Sequence, residues 1–257
     1  PTTKPLSDEP VLRVEHLSTV KAVHDVSFEV KKGEIFGFAG LVGAGRTEVA
    51  RALFGADPHT EGEVYVHGKK VSIKSASDAV KNGIGYLSED RKQYGLLLDK
   101  DLSFNTGMAA MDHFTNASVV ATKKLRDVAK DYVAKLRTRT PSVDVEVRSL
   151  SGGNQQKVVV AKWLERDADI LIFDEPTRGI DVGAKDEIYT LLEELAKQGK
   201  AIIVISSELP EVLRLANRIA VMAHGRIIGT LDNEEATQEN IMELATVGQE
   251  EANGVNA

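Results

Sequence analysis

An early glycine-rich segment has the spacing of a phosphate-binding loop (P-loop). Residues 40–47 match G-x-x-x-x-G-basic-Ser/Thr between an apolar strand and a helix. Such glycines let backbone N–H groups turn toward phosphate oxygens at the positive end of a helix dipole. The alternative is a turn that only permits close packing of the strand on the helix. The candidate phosphate-binding residues are Gly40, Gly43, Ala44, Gly45, Arg46 and Thr47, and the Thr47 hydroxyl is also a candidate Mg²⁺ ligand.

Two adjacent acids follow an apolar strand later in the chain. Residues 170–173 lead directly into Asp174 and Glu175. Because parallel sheets bind ligands at the carboxyl ends of their strands, we expect both carboxylates to lie beside the P-loop. Asp174 suits Mg²⁺ coordination, and Glu175 suits orienting and deprotonating a water molecule that attacks a phosphate. Taken alone, the pattern is also typical of acids that cap the next turn.

A third segment opens a helix with exposed backbone N–H groups. Leu150 is followed by Ser151, Gly152, Gly153 and Asn154. Ser151 is a candidate N-cap, and the paired glycines expose N–H groups at a helix end that can bind an anion. A simple N-cap explains the serine but not the two glycines together.

Strands and helices alternate around these three segments. The alternation predicts an α/β fold with a mostly parallel sheet and helices on both faces. The predicted strands are 33–40, 169–173 and 201–205, and the predicted helices are 46–54, 125–137, 151–166 and 186–198. Val26, Phe28 and Val30 share one face of a predicted antiparallel region.

The same pattern divides the chain into segments. We expect a linker or tail at 1–10, an antiparallel β region and the P-loop at 11–90, an inserted α-helical subdomain at 91–166, the remainder of the core at 167–242, and a disordered tail at 243–257.

Composition limits the classes of function. The 257 residues carry a formal net charge of −7, which argues against a nucleic-acid partner. The chain has no cysteine, so thiolate metal sites and cysteine nucleophiles are excluded. No apolar run approaches the roughly 20 residues that cross a bilayer, so we expect any membrane role to be peripheral. The six histidines show no zinc-like spacing.

In order and spacing the three segments resemble the motifs of ABC ATPases. Residues 150–157 resemble the LSGGQ signature and lie between the P-loop and the acidic strand end, as in that family. The resemblance implies a P-loop NTPase fold that binds ATP and Mg²⁺. It also implies head-to-tail pairing with a second nucleotide-binding domain, so that Ser151, Gly152 and Gly153 act on the ATP held by that partner. Asp181 matches the acidic residue of the loop that links the two sites.

Further local matches narrow the resemblance. Residues 86–92, 150–157 and 174–184 resemble the C-terminal half of ribose, xylose and galactose-type importer ATPases. In those subunits both nucleotide-binding domains lie on one polypeptide, and a chain that begins at Pro1 fits its second half. The resemblance implies transmembrane permease partners, an indirect extracytoplasmic sugar-binding partner, and a place at the cytoplasmic face of the bacterial plasma membrane.

Three positions depart from the family pattern around one nucleotide. Arg46 replaces the P-loop lysine, Glu89 replaces a glutamine that senses Mg²⁺ and the lytic water, and Ser207 replaces a histidine that contacts the γ-phosphate. Residues 17–23 also lack the aromatic side chain that stacks on adenine in many family members. We therefore expect this P-loop to hold nucleotide but hydrolyse it slowly, while the signature completes a more active partner site.

Two other functions remain open at this stage. The chain can be a nearly silent nucleotide-binding half that closes on ATP without chemistry at its own P-loop. It can also be a soluble ABC-type ATPase outside transport, although long coiled-coil or basic insertions typical of that class are missing from the sequence.

Overall fold

The structure, a computed structural model, describes residues 1–254, with side chains through residue 247. The β-strands are β1 (Pro10–Thr19), β2 (Val26–Lys31), β3 (Ile35–Gly40), β4 (His59–Val66), β5 (Lys69–Val71), β6 (Ile84–Leu87), β7 (Thr115–Asn116), β8 (Val119–Val120), β9 (Ile170–Asp174), β10 (Ala201–Ile205), β11 (Arg218–Ala223) and β12 (Arg226–Asp232). The α-helices are α1 (Arg46–Leu53), α2 (Ala76–Lys81), α3 (Leu102–Gly107), α4 (Thr122–Lys135), α5 (Gly152–Glu165), α6 (Val182–Lys197), α7 (Leu209–Leu215) and α8 (Gln238–Gly254). A π-helix spans Arg91–Gly95, and 3₁₀ helices span Met108–His113 and Val147–Ser149.

The chain forms two compact units. The first contains residues 1–86, 169–175 and those from Leu192 onward, and the second contains 87–168 and 176–191. The predicted helical insert falls within the second unit. The segment 176–191, which the sequence pattern assigned to the rest of the core, also belongs there, because the glycine at 153 packs against Ile180 and Ala184.

The first unit is built on a six-stranded sheet in the order β12-β11-β3-β10-β9-β6. Strand β3 pairs in parallel with β10 and β11, and β10 pairs in parallel with β9, while β12 runs antiparallel at one edge. Every residue of β9 and β10 is buried, as expected for central strands covered on both faces. The predicted fold class is confirmed.

Apolar side chains on both faces of β3 hold this sheet in the core. Phe36 and Phe38 point toward the four-stranded antiparallel sheet β2-β1-β4-β5, where Phe28 meets both rings at centroid distances of 5.5 and 5.1 Å. Ala39 and the β11 residue Val221 belong to a separate apolar cluster with α7 and α8. Val26, Phe28 and Val30 are all buried, so their predicted common face is confirmed.

Both predicted tails are more ordered than the sequence suggested. Thr3 is only 3% exposed, and the Asn217 side chain donates to its carbonyl at 2.7 Å, so residues 1–10 pack on the first unit. Helix α8 occupies most of the predicted C-terminal tail, because Ile241 and Ala245 are buried in the cluster with α7. The segment from 243, which we predicted to be a disordered tail, is thus described as helix as far as Gly254, and residues 255–257 lie outside the described residues.

The second unit consists mainly of helices. Helix α3 packs against α4 and α5. Leu125 and Ala129 form the most buried face of α4, and Gly107 lets α3 approach so closely that a Cβ there would lie 2.2 Å from Leu125 Cδ1. Helix α5 is buried along most of its length, which fixes its first turn in place.

Candidate functional site

The carboxyl ends of three neighbouring strands meet at one edge of the six-stranded sheet. Ile205 of β10 lies opposite Phe38 of β3 and opposite Asp174 of β9. Each strand therefore delivers its following loop to the same place. The segments brought together are the glycine-rich loop after Gly40, the acids at the end of β9, and the serines after β10.

The loop between β3 and α1 needs glycine for space and for backbone geometry. Gly40 has a φ of 154° and Gly45 a φ of 100°, which L side chains adopt rarely. A Cβ at position 40 would lie 2.5 Å from the Met222 carbonyl oxygen, and one at 45 would lie 3.0 Å from Gly225 Cα. Around Gly43, by contrast, no atom lies within 4 Å of a Cβ position. The loop is thus closed on its protein side and open at Gly43.

Arg46 turns its guanidinium toward the acids rather than into solvent. Its Nη1 donates to the Ser206 carbonyl oxygen at 2.7 Å. Burial lowers the pKa of the Arg46 guanidinium, and the charges of Glu175 and Asp174 oppose that shift. The side chain is therefore a half-buried cation beside two carboxylates at the sheet edge. Thr47 follows it in the first turn of α1.

Glu175 is held in a defined orientation by Ser207. The Ser207 backbone N–H donates to Glu175 Oε1 at 2.8 Å, and its hydroxyl donates to Oε2 at 3.2 Å. Burial raises the pKa of the Glu175 carboxyl, and these two hydrogen bonds partly oppose the rise. Glu175 also has a φ of 52°, a left-handed conformation that costs about 1–2 kcal/mol for a residue with a side chain. A strained, oriented carboxylate with a raised pKa suits a general base.

Asp174 lies fully buried beside this carboxylate. The Tyr86 hydroxyl, at the end of β6, donates to Asp174 Oδ2 at 2.9 Å. Sequence reasoning missed this contact, although an aromatic residue with a hydroxyl at the end of a neighbouring strand was a usable signal. The structure thus brings Arg46, Asp174, Glu175 and Ser207 together, with Thr47 on the adjoining helix.

The second unit carries the other predicted site residues. Ser151 caps α5, where its Oγ accepts from the Asn154 N–H at 3.4 Å and from Asn154 Nδ2 at 2.8 Å. The serine is exposed, and Gly152 and Gly153 start the helix behind it. Asp181 is exposed as well, and its carbonyl accepts from the Ala184 N–H at 2.8 Å at the start of α6. The second unit therefore presents an exposed helix N-terminus and an exposed carboxylate.

Glu89 forms an ion pair with Arg178, which belongs to the same unit. Arg178 Nη1 donates to Glu89 Oε2 at 2.6 Å, in a pair that is about half exposed on both sides. Glu89, Arg91 and Arg178 line a cleft of about 280 Å³. The ion pair gives this carboxylate a neutralising partner that the sequence did not reveal.

The part of the chain that the structure describes contains neither a cluster of metal-binding side chains nor a membrane-spanning helix. No group of three or more metal-binding side chains was found among the described residues. Mg²⁺ usually needs only one or two protein ligands, with phosphate oxygens and water completing its shell, so Thr47 and Asp174 fit that ion. None of the described helices is long and apolar enough to cross a bilayer.

Comparison with known proteins gives consistent matches. A family model described as ABC transporter matches residues 23–178. The chain is 59% identical to the ribose/galactose/methyl galactoside import ATP-binding protein 1 of Burkholderia lata over 241 residues, covering 93% of this chain and 47% of that protein. It is 51% identical to the ribose import ATP-binding protein RbsA 1 of Streptomyces avermitilis over 245 residues, covering 95% and 47% respectively. The chain thus spans about half the length of the curated relatives that it matches.

Solved structures share the fold at lower sequence identity. MJ1267, an ATP-binding cassette of an ABC transporter, superimposes with a TM-score of 0.78 at 22% identity, covering 92% of this chain and 98% of that one. The dimeric ATP-binding cassette MJ0796, bound to ADP and Pi, superimposes with a TM-score of 0.72 at 22% identity, covering 86% and 98%.

Proposed function

The chain belongs to the ABC transporter family, and on that premise we propose that it is an ATP-binding and ATP-hydrolysing domain that energises sugar import. The single observation that carries the proposal is the cluster at the sheet edge, where Arg46, at the end of the P-loop, lies with Asp174, Glu175 and Ser207. The sugar is proposed because relatives that the chain matches at 51–59% identity are named as ribose or galactose import proteins.

The chemistry of the first unit follows from its charges. The N–H groups after Gly40 bind phosphate oxygens, and Arg46 adds a positive charge beside them. Glu175 orients a water molecule and accepts its proton as the water attacks the terminal phosphorus. The raised pKa of this carboxyl makes it a stronger base than an ordinary glutamate. Its two bonds to Ser207 fix the direction in which it accepts that proton.

Mg²⁺ is proposed to bind at Thr47 and Asp174. A hydroxyl and a carboxylate are hard oxygen ligands of the kind this ion prefers. When bound, the ion neutralises charge that develops on the transferred phosphoryl group. The Tyr86 hydroxyl holds one oxygen of Asp174 and so orients the carboxylate.

The second unit is proposed to act on nucleotide held by another domain. The N-terminus of α5, with Ser151 exposed, Gly152 partly exposed and Gly153 buried behind them, is proposed to offer N–H groups and a positive dipole end to a terminal phosphate. The exposed carboxylate of Asp181 is the contact between the two sites. The partner is a second nucleotide-binding domain paired head to tail, which we place on the same polypeptide.

The two composite sites are proposed to differ in rate. Each substituted side chain of the first site is already bonded within the protein: Arg46 to the Ser206 carbonyl, and Ser207 to Glu175. Serine carries no positive charge toward a γ-phosphate, and arginine is a planar fork rather than a compact ammonium. Within the second unit, Glu89 is paired with Arg178 and carries a charge where an amide is usual in the family. The site at this P-loop therefore hydrolyses slowly, and the partner's site turns over faster.

The remaining partners are proposed from the same relatives. ATP binding and hydrolysis are proposed to drive conformational changes in transmembrane permease subunits. An extracytoplasmic sugar-binding protein contacts those subunits and not this domain. The domain then lies at the cytoplasmic face of the bacterial plasma membrane as a peripheral subunit.

ATP turnover tests the proposal. The rate of this chain alone is compared with that of the natural protein containing both domains. We expect slow turnover by the chain alone, at least about tenfold below the longer protein, because the chain supplies only the weaker P-loop site. Equal turnover per site would contradict the asymmetry, and no turnover by either protein would contradict the proposed activity.

A second candidate is a nearly silent half that binds nucleotide without hydrolysing it. It is favoured by the same bonds that occupy Arg46 and Ser207. Sugar transport by the Glu175→Gln variant separates the two, with uptake measured in membrane vesicles. Loss of uptake supports hydrolysis at this site as an obligatory step, and unchanged uptake supports the silent half.

A further inference from the structure

Arg91 is a buried cation in the second unit. Its side chain is only 8% exposed, and burying a guanidinium costs several kcal/mol unless its donors are satisfied. Within the described part of the chain, no carboxylate forms an ion pair with it. Its Nη1 donates to the Arg178 carbonyl oxygen at 2.9 Å and its Nη2 to the Gly179 carbonyl oxygen at 3.5 Å, while Nε has no hydrogen-bond partner.

The two carbonyls that Arg91 binds belong to the turn just before Asp181. Gly179 has a φ of 68°, and the Ile180 N–H donates to the Thr177 carbonyl at 3.1 Å, so the chain reverses there. A planar guanidinium can reach two successive carbonyls at once, which a lysine ammonium on a flexible stem does less well. Arg91 therefore fixes the backbone that carries the exposed carboxylate.

The same guanidinium touches the first residue of α5. A Cβ at Gly152 would lie 2.6 Å from Arg91 Nη2 and 2.8 Å from the Gly179 carbonyl oxygen. Glycine at this position is thus required by the packing of Arg91 and of the turn, in addition to any ligand. The Arg91 guanidinium packs between the first residue of α5 and the turn at 178–181, and so sets the distance between them.

The segment that carries Arg91 is itself anchored at both ends. Asp90 caps the π-helix by accepting from the Gln93 N–H at 3.0 Å, and Glu89 pairs with the side chain of Arg178. At the other end the Gly95 carbonyl accepts from Lys162 Nζ of α5 at 2.8 Å. Arg91 is therefore a fixed point and not a freely moving side chain.

We propose that Arg91 is a positioning residue that locks the turn before Asp181 against Gly152, so that the carboxylate and the α5 N-terminus meet a partner's nucleotide as one surface. The proposal rests on the proposed function, in which that surface completes another domain's site. Arg91 acts through backbone groups and does not itself contact the reacting atoms.

The test uses Arg91→Ala and Arg91→Lys in the natural two-domain protein. A displacement of about 1 Å in a site lowers catalysis by up to about a hundredfold, so we expect kcat to fall about tenfold to a hundredfold in Arg91→Ala. The Kd for nucleotide at this chain's P-loop should stay within about twofold, because binding there uses the first unit. Arg91→Lys should recover little, since it keeps the charge but not the fork.

Two further measurements separate positioning from general damage. Millimolar guanidinium ion should restore part of the kcat of Arg91→Ala by filling the vacated space. Amide hydrogen exchange should accelerate at 178–183 and at 152–153 and stay unchanged in β3 and β10. Arg126→Ala is the matched control, since Arg126 is an exposed arginine of the same unit paired with Asp144.

The outcomes are distinct. A kcat within about twofold of the parent protein would overturn the proposal. A fall in kcat that guanidinium does not restore, together with faster exchange throughout the second unit, would overturn it as well. If the parent protein itself hydrolyses no ATP, the proposed function fails, and the local exchange at 178–183 still decides whether Arg91 locks the turn.

Discussion

Lys162 offers a quantitative test of how the second unit is packed. It lies on α5 with its side chain 4% exposed, and its Nζ donates to the Gly95 carbonyl oxygen. Burial lowers the pKa of this ammonium from 10.5 to about 8. A shift of that size corresponds to about 3 kcal/mol of free energy that disfavours the charged form in the folded protein.

The sign of the pH dependence follows from that shift. Between pH 8 and 10.5 the unfolded chain keeps the proton on Lys162 while the folded chain releases it. The unfolded state therefore binds more protons in this window, and the free energy of unfolding rises with pH there. Below pH 8 the full penalty is present, and above 10.5 it is absent.

Lys162→Met removes the titration while keeping a side chain of similar length. At pH 7 the substitution relieves about 3 kcal/mol but leaves the Gly95 carbonyl unsatisfied, at a cost of about 1–3 kcal/mol, so the variant should be as stable as the parent or slightly more stable. By pH 10 the parent has gained about 2–3 kcal/mol from the lost proton, and the variant has not. The stability difference should therefore move against the variant by that amount.

Urea unfolding followed by fluorescence measures this difference directly. The only tryptophan of the chain, Trp163, is buried beside Lys162 and reports unfolding of the same helix. Comparing the two proteins at the same pH cancels the titration of groups that they share. A stability difference that stays constant from pH 7 to pH 10 would refute the reasoning that Lys162 is buried as a destabilised cation.

Three further predictions concern the sites and the core. Ser207→Ala removes one of the hydrogen bonds that lower the pKa of the Glu175 carboxyl, so that pKa should rise. The acidic limb of the pH–rate profile of this chain should then shift to higher pH. An unshifted profile would mean that Glu175 is not the base. Gly152→Ala places a Cβ against Arg91 and Gly179. In the longer protein proposed to carry both domains, steady-state turnover should fall by about tenfold or more. Nucleotide affinity at this P-loop, measured by titration, should stay unchanged. Phe38→Ala should lower the free energy of unfolding, measured by urea titration, by about 3–5 kcal/mol, because the ring is buried between Phe28 and Phe36. A loss below about 1 kcal/mol would contradict that packing.

Sites formed by residues that are adjacent in sequence could be predicted from short sequence motifs. The P-loop between β3 and α1 needs only its own glycines, and the acids after β9 need only a buried strand before them. The parallel pairing of β3, β10 and β9 then places these segments together, as the general rule for parallel sheets predicts. Both the fold class and this cluster could therefore be predicted from the sequence.

Contacts between distant segments could not be predicted in the same way. Arg91 looks like an ordinary charged loop residue in the sequence, and only its packing on Gly152 and Gly179 shows why it is buried. Ser207 was singled out in the sequence only as a replacement for a histidine, and its two hydrogen bonds to Glu175 were not predicted. Helix α6 begins at Val182 rather than 186, because the Asp181 carbonyl already accepts the N–H of Ala184.

The central claim is that this domain serves mainly a site on another domain, and steady-state hydrolysis by the longer protein that we propose to carry both domains tests it most directly. Ser151→Asp places a negative charge at the exposed N-cap of α5, and Glu175→Gln removes the base of this chain's own P-loop site. The account predicts that Ser151→Asp removes nearly all hydrolysis, and that Glu175→Gln removes only the slow share of this P-loop site although sugar uptake is lost. The reverse result, with Glu175→Gln abolishing hydrolysis and Ser151→Asp sparing it, would contradict the account.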